Sequence, residues 1–512
     1  MVGEAFFQTQ NNLVASAGWS LVIVIGIAAL RLVEISPTAY NLLMNWHFQL
    51  RGWWQKLFFN WPMLALPALL LLLNGPVWLN FSLSGDDLYS LTAAPSSFIT
   101  FLNGLGSFAG QYRHLTYYIF SWYRLLLPHF SVMLIAHSFW LMVIFWQLYG
   151  LLGAKIRPLI RFLLISPLFL SPIFYYHTFT ISSLANLVMA VITLALIRYF
   201  LLGARASWRE TILAGVLVLA SVAIKETFIV PLSLYVFALA VAQWRLKRLS
   251  WRRNWLIVGA VALFCFYLAA RLSWYQADTP SDYYFIFSLD QAITAASHLA
   301  AWLLNYPKGW QYGVPIRSGF EPILSVVTGL VLVSSLYLSL KKFWLETLAL
   351  GLAAASSLVL FFFLSALHLF YLDIVFLCLV LLVGLAYRSL NVSRPSLAKW
   401  LVVGWVLVHL GVFVTTRPVW LEHSFVGRAN QAALAFQAAI APANLGAAQR
   451  LCVVNHARGA WPTEDGLLLR HLGYTDLEIY SLPGQELPEA CGQPGSILLE
   501  NHGWDYELIS ER

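Results

Sequence analysis

Apolar runs able to cross roughly 30 Å of hydrocarbon recur along the chain between short polar stretches. They fall near 13–30, 60–78, 129–150, 159–174, 179–201, 210–224, 228–243, 255–271, 322–340, 344–364, 370–387 and 400–416. This pattern predicts an all-α polytopic membrane protein with about twelve transmembrane helices. The runs at 159–174, 210–224 and 228–243 are only about four turns long, which points to helices that end early around a cavity. The run at 13–30 has no charged leading segment and no cleavage-like site, so it reads as a retained helix.

Polar punctuation sets the orientation, because short cytoplasmic loops collect lysine and arginine. Alternate loops hold Arg51 and Lys56, then Lys155, Arg157 and Arg161, then Arg205 and Arg209, then Arg245, Lys247, Arg248, Arg252 and Arg253. Lys341 and Lys342, and then Arg388, Arg394 and Lys399, continue the series. Placing all of these in the cytoplasm sends two long loops, 79–128 and 272–321, and the tail after 417 to the opposite side. The chain then divides into an N-terminal helix with a basic cytoplasmic loop (1–59), a transmembrane core (60–416) and a soluble extracytoplasmic domain (417–512).

Composition agrees with a bilayer as solvent. Of 512 residues, 60% are hydrophobic and 11% charged, too few charges to solvate a soluble body of this size. The +8 net charge is mostly the loop signal and implies no nucleic-acid partner. The 22 Trp and 23 Tyr suit both membrane interfaces and sugar-stacking platforms.

The tail reads as a small α/β domain. Helices are expected at 423–440 and at Glu464–Leu472, and strands at Arg450–Asn455, Leu477–Leu482 and Ser496–Glu500. Cys265 and Cys378 fall inside apolar helices as core residues. Cys452 and Cys491 both fall in the tail, where an oxidising compartment would join them.

Candidate chemistry is densest in the first outer loop. Asp86 and Asp87, in Ser84-Gly85-Asp86-Asp87-Leu88-Tyr89, place adjacent carboxylates just outside the hydrocarbon. They repel one another there and face low dielectric. A general base is one reading, and a helix N-cap at the surface is the other. Farther on, Gly110-Gln111-Tyr112-Arg113-His114-Leu115-Thr116-Tyr117-Tyr118 runs into Phe120-Ser121-Trp122-Tyr123-Arg124-Leu125. Arg113, Tyr117, Ser121 and Arg124 share one face at helical spacing, which predicts an interfacial helix. Its arginines either anchor it to the interface or hold a lipid-linked phosphate. Lys225-Glu226 interrupts two apolar runs at the outer face, either as a self-paired turn or as a site. His177 and His368 occupy outer helix ends, as structural donors or as contacts to a sugar or a metal.

An Asp-Asp pair after an early transmembrane helix, an Arg-containing helix of the Tyr-Arg-x-Leu-Thr-Tyr type and Lys225-Glu226 closing a later helix together resemble the GT-C superfamily of membrane glycosyltransferases. The similarity is greatest to protein O-mannosyltransferases and to bacterial enzymes that transfer aminoarabinose to lipid A, and it spans roughly residues 60–390. The chain departs from the family's pattern at Leu115 and across His368–Asp373. The resemblance implies a GT-C-like core and an inverting transfer of sugar from a polyprenyl-phosphate donor to a hydroxyl or amine of a glycan, lipid or protein acceptor. It implies Asp86 as general base and Asp87 orienting the acceptor or a divalent cation. Arg113, Lys225 and Arg124 would bind the donor phosphate, and Glu226, His177, Tyr117 and His368 the substrates. Metal dependence stays open and no other cofactor is implied. The expected location is a bacterial inner membrane with the site facing the periplasm or exterior. A lipid-linked polysaccharide polymerase or ligase is the competing reading. A transporter is the third, and it would call for ionisable residues at mid-membrane and two matching halves; instead the charges cluster at helix ends, and residues 1–256 do not repeat in 257–512.

Overall fold

A computed structural model describes residues 62–78, 116, 119, 122–123, 130–153, 155–203, 206–222, 224–247, 250–274, 288–304, 321–363, 372–423, 425–441, 450–455, 478–483, 489–501 and 506–511. The described helices are α1 (Pro62–Trp78), α2 (Phe130–Leu152), α3 (Pro158–Ile165), α4 (Pro167–Leu170), α5 (Pro172–Phe179), α6 (Leu184–Leu202) and α7 (Trp208–Val222). Then follow α8 (Ile229–Leu246), α9 (Trp251–Trp274), α10 (Leu289–Leu303), α11 (Glu321–Phe363), α12 (Asp373–Ser393), α13 (Pro395–His423) and α14 (Phe425–Ile440). The described strands are β1 (Arg450–Asn455), β2 (Glu478–Pro483), β3 (Ser496–Asn501) and β4 (Tyr506–Glu511).

Among the described residues six helices are long and apolar enough to cross a membrane, or up to seven if one bent pair counts as a span. The outward stripe on α11 shows what solvent these helices expect. Ile323, Val326, Leu330, Val333 and Tyr337 recur every three or four residues and are 62–70% exposed, a seam that lipid covers and water would not tolerate.

The bent pair arises from proline. Pro158, Pro167 and Pro172 each open a short helix at the position where the missing N–H costs nothing. Proline also disfavours helical geometry in the residue before it. Ser166 resists that and stays helical, whereas Ser171 turns extended (φ −83°, ψ 131°) and caps α5 by accepting from the Ile173 N–H. The chain bends by 72° between α4 and α5. The run expected at 159–174 is therefore broken, and its last residues belong to a separate helix that continues to Phe179. Trp405 and Thr416 on α13 fix that helix pair: the indole N–H donates to the Leu164 carbonyl, and the Tyr175 hydroxyl lies 3.4 Å from Thr416 Oγ1.

A second reversal falls inside α11. Phe343 has non-helical angles (φ −131°, ψ 45°). Before it, contacts advance along α12, with Ser339 Oγ donating to the Leu382 carbonyl and Lys342 Nζ to that of Ser389. After it they run backward along α8: Trp344 lies beside Trp244, and Ser356 is bonded to Ser233. At one end Lys225, just before α8, acts on Asp373 at the head of α12. At the other, Gly203 lies against Arg245 near the end of α8, and neighbouring Leu201 shares a cavity with Arg388 near the end of α12. The two helices thus run in the same direction, so the chain turns back at Phe343. The 37-residue stretch Ile323–Val359, counted once among the six, is about twice the length one crossing needs.

Close approach is allowed where α12 passes α2. A Cβ on Gly384 would stand 2.3 Å from Leu152 Cδ2, so only glycine fits there without displacing that side chain.

Contacts divide the chain into two compact units, Met1–Asn80 with Leu126–Met133 and Leu434–Arg512, and Phe81–Leu125 with Leu134–Ala433. The first contains α1 and a four-stranded sheet in the order β2-β1-β3-β4. β1 pairs in parallel with β2 and β3, while β4 pairs antiparallel to β3. The continuous apolar run Leu451-Cys452-Val453-Val454 suits this central strand, which is buried on both faces. Cys452 is disulfide-bonded to Cys491, with Cα atoms 6.0 Å apart, and the pair packs with Val454 and Leu498. β4 was not anticipated from the sequence, and the helix expected at Glu464–Leu472 lies outside the described residues.

Candidate functional site

The second unit concentrates buried polar groups where its helices break. After α7 the chain leaves the helix, and Ile224 and Lys225 both donate their backbone N–H to the Ser221 carbonyl. Lys225 is extended (φ −162°, ψ 155°), and the short turn Glu226–Phe228 then leads into α8. This break turns Lys225 inward: it is 3% exposed, and its Nζ donates to Asn186 Oδ1 on α6. An amide oxygen orients a buried ammonium and meets part of its hydrogen-bonding need.

Asp373 begins α12 and is 4% exposed. One carboxylate oxygen accepts the Ile374 N–H at 2.6 Å, a position the positive end of the helix dipole favours. The other lies 3.6 Å from Nε2 of His177 on α5, longer than a hydrogen bond. His177 is fully buried, and neither ring nitrogen has a hydrogen-bond partner among the described residues. Phe174 packs against its ring. Lys225 acts electrostatically on both Asp373 and His177, as does His137 on His177. Four ionisable side chains from four separate segments thus share one buried region.

His137 is held by a directed chain. Ser183 Oγ donates to the Thr180 carbonyl at 2.7 Å, so it accepts from His137 Nε2 at 3.0 Å. That leaves Nδ1 of a neutral ring to accept from the Tyr123 hydroxyl at 3.3 Å. This is a satisfied core histidine. Thr116, from the stretch that carries Arg113 and Tyr117, donates to the Ile224 carbonyl at 3.1 Å, one residue before Lys225.

Lys225 and His177 are brought together, as neither position alone announced. Glu226 opens the turn after Lys225. Asp86, Asp87, Arg113, Tyr117, Arg124 and His368 lie outside the described residues. No cluster of three or more His, Cys, Asp or Glu that could hold a metal occurs among the described residues. Sequence reasoning missed Asn186, His137 and Asp373 as site members. Two signals were available: Asn186 is the only amide in the 179–201 run, and Asp373 is the only charge in the 370–387 run. Intramembrane polar groups of this kind are expensive and tend to be functional.

Comparison with known protein families and with curated proteins finds no match to this chain.

Proposed function

We propose that this chain is a GT-C-like membrane glycosyltransferase of about twelve spans that moves a sugar from a polyprenyl-phosphate donor to an acceptor hydroxyl or amine. It would work at the periplasmic or outer face of a bacterial inner membrane. The observation that carries this reading is the buried Lys225, held by Asn186 and electrostatically linked to Asp373 and His177, beside Thr116 of the stretch that contains Arg113.

In this reading the acceptor oxygen attacks the anomeric carbon as its O–H bond breaks, with Asp86 taking the proton. General-base assistance of this kind is worth about 10²–10⁴ in rate. The bond from the anomeric carbon to phosphate oxygen breaks on the opposite side, which inverts the centre and releases polyprenyl phosphate. Arg113, Arg124 and Lys225 offset the charge that develops on that phosphate, a preorganised arrangement that is most effective where water is excluded. Asp87 orients the acceptor or a divalent cation, and His177, Glu226, Tyr117 and His368 contact the sugar or the acceptor.

A transporter is the second reading. Fully buried ionisable groups and the bent pair α3–α5 favour it, since both features line substrate paths in such proteins. Purified protein incubated with a polyprenyl-phosphate sugar and acceptor decides between them. Release of polyprenyl phosphate with equimolar transfer of sugar is the expected result. Uptake of substrate into proteoliposomes without any cleavage of the donor would replace the transferase with the transporter.

A further inference from the structure

At the opposite end of the helices from Lys225, an apolar cavity of about 90 Å³ opens among the ends of α2, α6 and α12 and the start of α11's second half. Phe200, Leu201 and Leu385 are among its lining residues, and it contains two charges, Glu346 on α11 and Arg388 on α12. Both are half-buried, and among the described residues neither makes an ion pair. The Arg388 guanidinium stacks on the Phe343 ring at the reversal, 4.9 Å from its centroid. That contact holds the cation without supplying a counter-charge. The neighbouring lysine is differently occupied, because Lys342 Nζ is bonded to the Ser389 carbonyl.

An acid and a base in one apolar cavity, not paired with each other, match a ligand that has both charges and a greasy body. We propose that this cavity binds the headgroup of a zwitterionic aminophospholipid such as phosphatidylethanolamine. Arg388 takes the phosphate through its fork of N–H donors, Glu346 accepts from the primary ammonium, and the acyl chains follow the leucine-lined opening. The basic loops that include Lys341 and Lys342 assign this end to the cytoplasmic leaflet. Exposed Trp244 (62%) and Trp344 (49%) beside the cavity mark the depth at which headgroups lie. Charge complementarity favours this headgroup over other lipids: the glycerol of phosphatidylglycerol brings hydroxyls but no cation to Glu346, and a choline has no N–H to donate.

Full-length protein in detergent, titrated with dioleoyl phosphatidylethanolamine, phosphatidylglycerol or phosphatidylcholine and read by native mass spectrometry, tests the assignment. Phosphatidylethanolamine should bind at least about tenfold more tightly than the other two, the scale set by one charge-assisted hydrogen bond. Arg388→Ala should lose that binding. Glu346→Gln should erase the preference over phosphatidylglycerol while keeping binding to phosphate. Lys341 is not among the lining residues, so Lys341→Ala should leave both unchanged, and monodispersity on gel filtration shows that each variant is folded. If Arg388→Ala fails to fold, Glu346→Gln alone decides through the lipid preference. Free glycerophosphoethanolamine should not compete at millimolar concentration. Equal binding of the three lipids, unchanged preference in Glu346→Gln, or effective competition by the free headgroup would each overturn the proposal.

Discussion

Nε2 of His177 lies 3.6 Å from Oδ2 of Asp373, with both side chains buried between apolar helices and with Lys225 acting on each. Carboxylate and ammonium compensate one another where either alone would be strongly penalised. Removing one member of such a buried set typically costs about 3–5 kcal/mol. Asp373→Asn and Lys225→Met should each lower thermal stability in detergent by a comparable amount, and the double variant should cost less than the sum. Additive losses in that double-mutant cycle would show that the two charges do not depend on one another.

Asp86→Asn preserves shape and most hydrogen bonding but cannot accept a proton. If Asp86 is the base, turnover should fall by about two to four orders of magnitude with donor binding little changed. If it is a helix cap, asparagine serves almost as well and activity stays near normal. Asp87→Asn is the internal comparison for a supporting carboxylate.

Arg113→Ala should weaken use of the lipid donor by removing a charge-assisted contact to phosphate. Arg113→Lys should recover only part of it, because the fork of donors is lost while the charge remains. Equal steady-state kinetics in all three proteins would return Arg113 to an anchoring role.

Orientation is testable by labelling. A Ser250→Cys variant should react only with membrane-permeant thiol reagents in intact cells, and a Ser281→Cys variant with impermeant ones. The reverse pattern would invert the topology, move Asp86 to the cytoplasm and make a nucleotide-sugar donor the natural alternative.

The Cys452–Cys491 bond closes a loop across a sequence separation of 39 residues within the sheet-bearing tail. Replacing both cysteines by serine should lower the stability of that region by about 2–4 kcal/mol, measured as a shift in its unfolding transition. An unfolding transition that reductant leaves unmoved would show that the bridge contributes little.

Hydrophobic patterning by itself determined that the chain is helical and built for lipid. A stretch such as Leu184–Leu202 must satisfy its backbone internally whatever surrounds it, so local composition suffices. The same holds for β1, whose unbroken apolar run requires burial on both faces, and for the punctuation that surrounds Lys225. Other features depended on relations between distant segments. Pro167 and Pro172 both follow a serine, yet Ser166 stays helical while Ser171 turns extended, so the bend falls at Pro172. The reversal at Phe343 is visible only in the opposing order of contacts along α12 and α8. Asn186, His177, Lys225 and Asp373 lie on four segments separated by up to 196 positions (177 to 373). Each alone reads as an isolated polar residue at a helix end. Their meeting is a property of how the helices pack, because a buried charge acquires its meaning from the neighbours that compensate it, and those neighbours are chosen by tertiary structure.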